Sequence, residues 1–437
     1  MKIFGHFFKL AAIFCLLAIS VTASAAGWVH VGPADSGFAL LQKSGTGNES
    51  YTRFGEEIVI QGGDNFSEEA QKANGFTSFA MRNDEKLYLL ISKDPAIFKY
   101  VFPGTRTVWS GYGMKVLIAG EVAAANLYSK SSPFTMVKPL PKNETVITAE
   151  KICKQTSKNA PDEISKFLEL LDMDRYFKDL EVMVDHKTRY SYVKGAMDAI
   201  ETSIAAFKEI GLETEKQPFN IGTTQVCNLI ATWKGTDEEK YGQVLVTGHL
   251  DSTSPNPRYD APGADDNGSG SAGVLALARM LKKSGLQPAA TIKFVLFLGE
   301  EQGLYGSKAY VRALSPEDKK KVKAVLNLDM IGFDVTPPLS IMLETNSFNK
   351  PMIDKLEELA EKYADFSIRT SFHAWGSDHA PFLQQKVPAV LTIESEYDAN
   401  PNYHQTSDLV KNINPELSRQ ILRLNAAAMF VYGVKPQ

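Results

Sequence analysis

Three apolar runs in this chain each break off on charged or imidazole side chains. VLVTGHLDS, Val244 to Ser252, stops at Gly248, His249 and Asp251; TIKFVLFLGEE, Thr291 to Glu301, ends on two adjacent carboxylates; VKAVLNLDM, Val322 to Met330, carries Asp329 among apolar neighbours. Short apolar, β-branched runs of this kind suit strands buried on both faces of a parallel sheet, and the working groups of such sheets collect beyond the carboxyl ends of the strands. A carboxylate there is costly unless it is paired or metal-bound. Three strands ending this way predict one shared site. Within the first run, a histidine that binds a metal through one nitrogen needs an acceptor for its other N–H, and the Asp251 carboxylate, two residues on, is expected to orient His249 in that way.

The patterns around these runs set the fold class. Ala160-Pro161-Asp162-Glu163 opens a helix through Leu171, and Tyr192 to Ile210 repeats apolar residues at helical spacing until Gly211 stops it. CNLIATWKG and YGQVLVTGH read as two strands joined by a charged hairpin turn, and Asn414-Pro415-Glu416 caps the last helix. Strand and helix alternate as far as Val434, which predicts an α/β fold: a doubly wound, mixed but largely parallel sheet with helices on both faces. Gly27 to Ile147 differs, with short runs such as WVHVG, EEIVIQGG, KLYLLIS and GMKVLIAG broken by Gly, Asn, Asp and Pro. It predicts a smaller β-rich domain, with the Pro-rich stretch Pro133 to Ile147 as the linker.

At 437 residues, 44% hydrophobic and 22% charged, the chain has room for both domains. Lys2 and Lys9 flank a short apolar core, Leu10 to Val21, followed by Ala23-Ser24-Ala25, so residues 1–25 are expected to be a secretory signal. That core is short for a membrane span and no other long apolar run follows it, so no stable membrane insertion is expected. The divisions are then 1–25 signal peptide, 26–147 β-rich accessory or pro-domain, and 148–437 catalytic domain, in a monomer that is secreted or periplasmic. Removing residues 1–25 takes two lysines and no acids, leaving 45 basic against 51 acidic residues and a net charge of −6, without a basic block. Nucleic acid and anionic membranes are poor partners for such a chain. Cys153 and Cys227 remain in the mature chain and either pair in an oxidising compartment or stay separate buried thiols. Asn48, Asn65 and Asn143 open glycosylation sequons, a pattern common by chance.

The chemistry sits between and beyond the three runs. GADDNGSGSAGVLALARMLKKSG, Gly263 to Gly285, places Asp265 and Asp266 in a glycine-rich turn before a helix whose positive end faces that turn, where Asp265 could bridge two cations. Gly268 to Gly273 also matches the dinucleotide fingerprint, but that fingerprint comes directly off a strand. Here the strand ends at His249, and Asp251, Asp260, Asp265 and Asp266 intervene to repel a pyrophosphate, so the glycines are read as permitting close packing. His379, in Trp375 to Phe382, and His404, in a polar loop after VPAVLTIES, are both candidate ligands. Imidazoles and carboxylates without a thiolate suit zinc, or else manganese or cobalt, in a two-metal centre. Of Glu300 and Glu301, one can bind metal while the other faces a water.

Together, Gly248-His249-Leu250-Asp251-Ser252, Gly263 to Gly270, Gly299 to Ser307, Asn327-Leu328-Asp329-Met330, Ser377-Asp378-His379 and Tyr403-His404 resemble the secreted di-zinc aminopeptidases of the bacterial leucyl aminopeptidase type, over roughly residues 150 to 435. The resemblance implies two zinc ions, with His249 and Asp329 on one, Glu301 and His404 on the other, and Asp265 bridging. It implies Glu300 as general base, Asp251 as the residue that orients His249, and a cis peptide at Asp265-Asp266. It selects His404 over His379. Where some relatives carry an oxyanion-holding tyrosine before Ser-Asp-His, this chain has Phe372, His373, Ala374 and Trp375, so His373 or the second metal would take that role.

The expected reaction is hydrolysis of the first peptide bond of a peptide with a free N-terminus and a hydrophobic first residue. Trp375, Phe382, Tyr397 and Tyr403 either line a pocket for that residue or are core. A glutaminyl cyclase, a carboxypeptidase and a receptor-type domain share the scaffold. ADDNGSG looks peptidase-like rather than cyclase-like, and every ligand position and the base are present. No G-x-S-x-G occurs to support a serine hydrolase.

Overall fold

The structure, a computed structural model, describes residues 27–92, 97, 100–132, 135–154, 162–334 and 338–436; the expected signal, residues 1–25, lies outside the described residues. The strands that position the site are β11 (Glu213–Ile221), β12 (Thr224–Trp233), β13 (Gln243–His249), β14 (Thr291–Phe297), β15 (Val322–Leu328), β16 (Ser340–Glu344), β17 (Phe366–Ser371) and β18 (Ala389–Glu394). Their order is β11-β12-β14-β13-β15-β18-β16-β17. β14, β13, β15 and β18 run parallel, as their apolar composition predicts, and every residue of β13 and β18 is buried. His249 ends β13, Asp329 follows β15 and Glu300 follows β14 by three positions, so the three runs do converge at one edge of the sheet.

The expected hairpin between β12 and β13 does not form. β14 lies between them, antiparallel to β12 and parallel to β13. β13 is a fully buried central strand with a parallel partner on each edge, so β12 pairs one position further out, and Glu238–Tyr241 forms a helical turn within the connection. The expected helix from Ala160 begins at Glu163, with the Asp162 side chain accepting from Ser165 N, and a second helix, Met173–Val184, follows it. Lys194–Ile210 ends where Gly211 adopts φ 89°, and Asn414 caps Pro415–Met429.

The N-terminal part is β-rich and continues the sheet of β11 to β18 edge to edge. β2 (Ser50–Phe54), β3 (Glu57–Gly62), β1 (Gly27–Pro33) and β4 (Thr77–Met81) continue the large sheet beyond β9 (Glu144–Ile147), which meets β17 at the pair Ser371 and Ile147. β10 (Lys151–Cys153) also pairs with β17. A separate sheet of four strands contains β6 (Thr105–Gly111), β7 (Met114–Ala119), β5 (Lys86–Ser92) and β8 (Thr135–Pro139). The stretch expected as a linker therefore carries β8 and β9. The β6–β7 turn rests on the loop that leads to His404: Gly113 N donates to Asp398 at 2.9 Å, and Trp109 and Met114 share an apolar cluster with Met330, Tyr397 and Tyr403. Cys153 and Cys227 are free, buried thiols.

Candidate metal centre

His249 leaves β13 with its ring held from behind. Its Nδ1 lies 3.0 Å from the Asp251 main-chain carbonyl and 3.7 Å from the carboxylate, so the carbonyl rather than the expected carboxylate accepts the N–H. A donor at Nδ1 leaves Nε2 with a free lone pair in the neutral ring, which is the form that binds a metal. The Asp251 carboxylate does different work. It accepts from Ser191 Oγ at 3.1 Å and from the main-chain N–H groups of Glu300 and Glu301, each at 3.3 Å, and so fixes the turn that presents both glutamates.

His249 Nε2 faces Asp266 Oδ1 at 3.1 Å and Asp329 Oδ1 at 3.3 Å. His404 Nε2 faces the other oxygen of Asp266 at 3.0 Å and Glu301 Oε2 at 3.0 Å. Asp266, not Asp265, thus stands between the two imidazoles. Asp265 points away: it accepts from Gly332 N and from Asn400 Nδ2, both at 2.9 Å. Adjacent residues of one turn project in different directions, so only one of the pair can face the histidines. The cis peptide likewise falls at Asp266-Asn267 rather than Asp265-Asp266. The glycines after this turn do permit close packing, since a Cβ on Gly270 would lie 2.4 Å from the Leu328 carbonyl.

Asp329 is held from the far side by Ser377 Oγ at 2.6 Å, which itself accepts from Asn327 Nδ2 at 3.0 Å. Glu300 joins His249 and Asp329 with donor atoms all within 4.8 Å of one another. Met330, next to Asp329, and His404 itself have φ of 52° and 54°, a conformation that costs on the order of 1–3 kcal/mol in a side-chain-bearing residue and gathers at functional sites. His404 is the most open of the five ligand candidates, with 30% of its side chain exposed against 6% or less for His249, Asp266, Glu301 and Asp329, so the site opens on its side.

The buried acids and imidazoles shift one another strongly. Burial would lower the His249 imidazole, yet Asp329 and Glu300 hold it well above its ordinary range. Burial opposes a charge on Asp266, but hydrogen bonds from His249 and His404 hold that carboxyl well below the usual range. Burial pushes Glu301 up to about 7, and raises Glu300 well above its ordinary value against the pull of His249. Glu301 Oε1 is buried without a hydrogen-bond partner. Such a surplus of buried carboxylate oxygens, two of them on Asp266 aimed at separate imidazoles, fits a pair of divalent cations.

Other sequence candidates lie elsewhere. His379 is buried 3.8 Å from Glu344. His373 is tied to the N-terminal part through Lys138 Nζ at Nδ1 and Glu144, 3.5 Å from Nε2, which leaves it no free edge for an oxyanion. Phe382 is core, fully buried against Phe297 and Tyr310, whereas Trp375, Tyr397 and Tyr403 gather around Met330.

A family profile described as peptidase family M28 matches residues 228–429. Leupeptin-inactivating enzyme 1 of Streptomyces exfoliatus is 35% identical over 207 residues, covering 46% of this chain and 41% of that protein. A probable leucine aminopeptidase of Trichophyton verrucosum is 30% identical over 263 residues, 57% of this chain and 70% of that one. Among solved structures, the LapA aminopeptidase of Legionella pneumophila superposes with a TM-score of 0.57 at 19% identity, over 81% of this chain and 99% of that chain. A Bacillus subtilis zinc aminopeptidase gives 0.54 at 17% identity, over 61% and 96% respectively. At these identities the structural likeness is one of fold.

Proposed function

The chain belongs to peptidase family M28 and is a metallo-aminopeptidase, and from that premise we propose that it hydrolyses the first bond of peptides with a free, hydrophobic N-terminal residue. Two zinc ions would be held by His249 and Asp329 and by Glu301 and His404, with Asp266 bridging and Glu300 as general base. The observation that carries this reading is the pair of Asp266 oxygens, 3.1 and 3.0 Å from the Nε2 atoms of His249 and His404.

Zinc bound there would supply Lewis acidity, polarising the scissile carbonyl and lowering the pKa of a water toward about 7. The protein supplies the rest. Glu300, whose carboxylate lies within 4.8 Å of the donor atoms of His249 and Asp329, would take a proton from the attacking water and return it to the leaving amine. Asp251 holds the Glu300 and Glu301 main chain in place for this exchange. Trp375, partly exposed and packed on the buried cluster of Met330, Tyr397 and Tyr403, would offer an apolar surface to the first side chain.

Export is supported by the leader-like residues 1–25, and among the described residues no helix is long and apolar enough to cross a membrane. Residues 26–147 are proposed to remain in the active enzyme, because β9 bonds to β17 and Gly113 to Asp398. The test is a panel of aminoacyl-anilides assayed with and without chelator and re-added zinc, with metal counted per chain and the N-terminus of the active protein sequenced. Turnover indifferent to chelation would overturn the metal reading, and an N-terminus near residue 148 would make the β-rich part a removable pro-segment.

A further inference from the structure

Arg189 is fully buried, and its four side-chain hydrogen bonds all end on main-chain carbonyls. Nε donates to Leu250 at 2.7 Å, Nη1 to Pro262 at 2.6 Å and Met183 at 3.2 Å, and Nη2 to Gly263 at 2.8 Å. Its main-chain N–H donates to Ser252 Oγ at 3.1 Å, and that hydroxyl donates to the Ala261 carbonyl at 2.6 Å. Burying a guanidinium costs several kcal/mol of hydration unless partners replace the water. The partners here are two strips of backbone. Leu250 follows His249 directly, and Pro262 and Gly263 open the turn that carries Asp266. The approach is close: a Cβ on Gly263, which has φ 53°, would lie 3.1 Å from Nη2.

The other side of the same turn is held by an anion. Asp408, buried and four positions beyond His404, accepts from Asp265 N at 2.9 Å and from Asp266 N at 3.0 Å, while its carbonyl accepts from Ala264 N at 3.1 Å. Arg189 therefore links the turn to the His249 end of β13, and Asp408 links it to the His404 loop. Neither side chain contacts the imidazoles or carboxylates of the centre in the hydrogen bonds and ion pairs described above. Burial lowers the Arg189 guanidinium to about 10, still charged at neutral pH, with Asp408, Asp251 and Asp266 as its stabilising charges.

We propose that Arg189 and Asp408 are positioning residues that clamp the 262–266 turn from opposite sides and thereby fix where the Asp266 carboxylate bridges the two histidines. This rests on the two-metal reading of the site. Lysine in place of Arg189 keeps the charge but can reach only part of a fork-shaped set of acceptors. Asparagine in place of Asp408 keeps the shape but presents an NH₂ to one of two N–H donors.

The test measures zinc per chain and zinc dissociation constants, by competition with a chromophoric chelator, for wild type, Arg189→Lys and Asp408→Asn, together with kcat, KM and melting temperature. The expected result is a roughly 10- to 100-fold loss of zinc affinity in each folded variant, the range typical when partners behind metal ligands are removed. An Ile353→Ala core variant in the Lys350–Tyr363 helix, which lowers the melting temperature by general destabilisation, should keep wild-type zinc affinity. Folded variants that bind two zinc ions as tightly as wild type would overturn the proposal. A wild-type protein that binds none would instead overturn the parent reading of the centre. If Arg189→Lys fails to fold, Asp408→Asn decides.

Discussion

The two adjacent aspartates give the sharpest test, because they differ by one position in sequence and by which way they face. Asp266 presents one oxygen to each imidazole at 3.0–3.1 Å, whereas Asp265 spends its oxygens on Gly332 N and Asn400. Asp266→Asn removes the anion from a buried cluster and leaves its partners uncompensated, which costs about 3–5 kcal/mol. At about 1.4 kcal/mol per decade this is roughly a 10²- to 10⁴-fold loss of zinc affinity. One zinc or none should remain after dialysis against a weak chelator, with kcat/KM falling by at least as much. Asp265→Asn can keep an oxygen toward Gly332 N but spoils the match with Asn400 Nδ2, and one imperfect buried hydrogen bond costs about 1–3 kcal/mol. It should lower the melting temperature by several degrees and keep two zinc ions. Metal analysis, an anilide assay and a thermal melt on both variants decide the matter. If Asp265→Asn lost the metal while Asp266→Asn retained it, Asp266 would not be the bridging carboxylate.

Glu300→Ala should leave zinc content near wild type and reduce turnover by about 10²- to 10⁴-fold, the usual contribution of a general base; full activity would refute the role. Thiol reductant should change neither activity nor melting temperature, because Cys153 and Cys227 are unpaired, and burial pushes the Cys153 thiol up to about 11. A thiol reagent should titrate them only after unfolding. Burial lowers His30 to about 4, below its unfolded value, so the unfolded chain takes up the proton first and stability falls as pH drops from about 6.5 through about 4. The loss amounts to at most about 3 kcal/mol, and urea melts of His30→Gln should show a flatter dependence over that window.

Much of this arrangement was already legible in the amino-acid order. Apolar runs that stop on His249, Glu300 and Asp329 could only be buried strands with a shared edge, because burial selects the composition of a strand along its whole length while the groups beyond its end answer to the site. The same order could not tell Asp265 from Asp266. That choice belongs to backbone torsions around Gly263, held by Arg189 on one side and Asp408, more than 140 positions away, on the other. Nor could it show that the carbonyl of Asp251 takes the histidine N–H while its carboxylate takes the glutamate turn, since both acceptors belong to one residue. β14 separating β12 from β13, Phe382 turning into the core and β9 bonding to β17 are likewise outcomes of which surfaces meet once the strands assemble. Local pattern determines that an element is buried and where it ends; the partner it is buried against is decided by contacts between segments far apart in the chain.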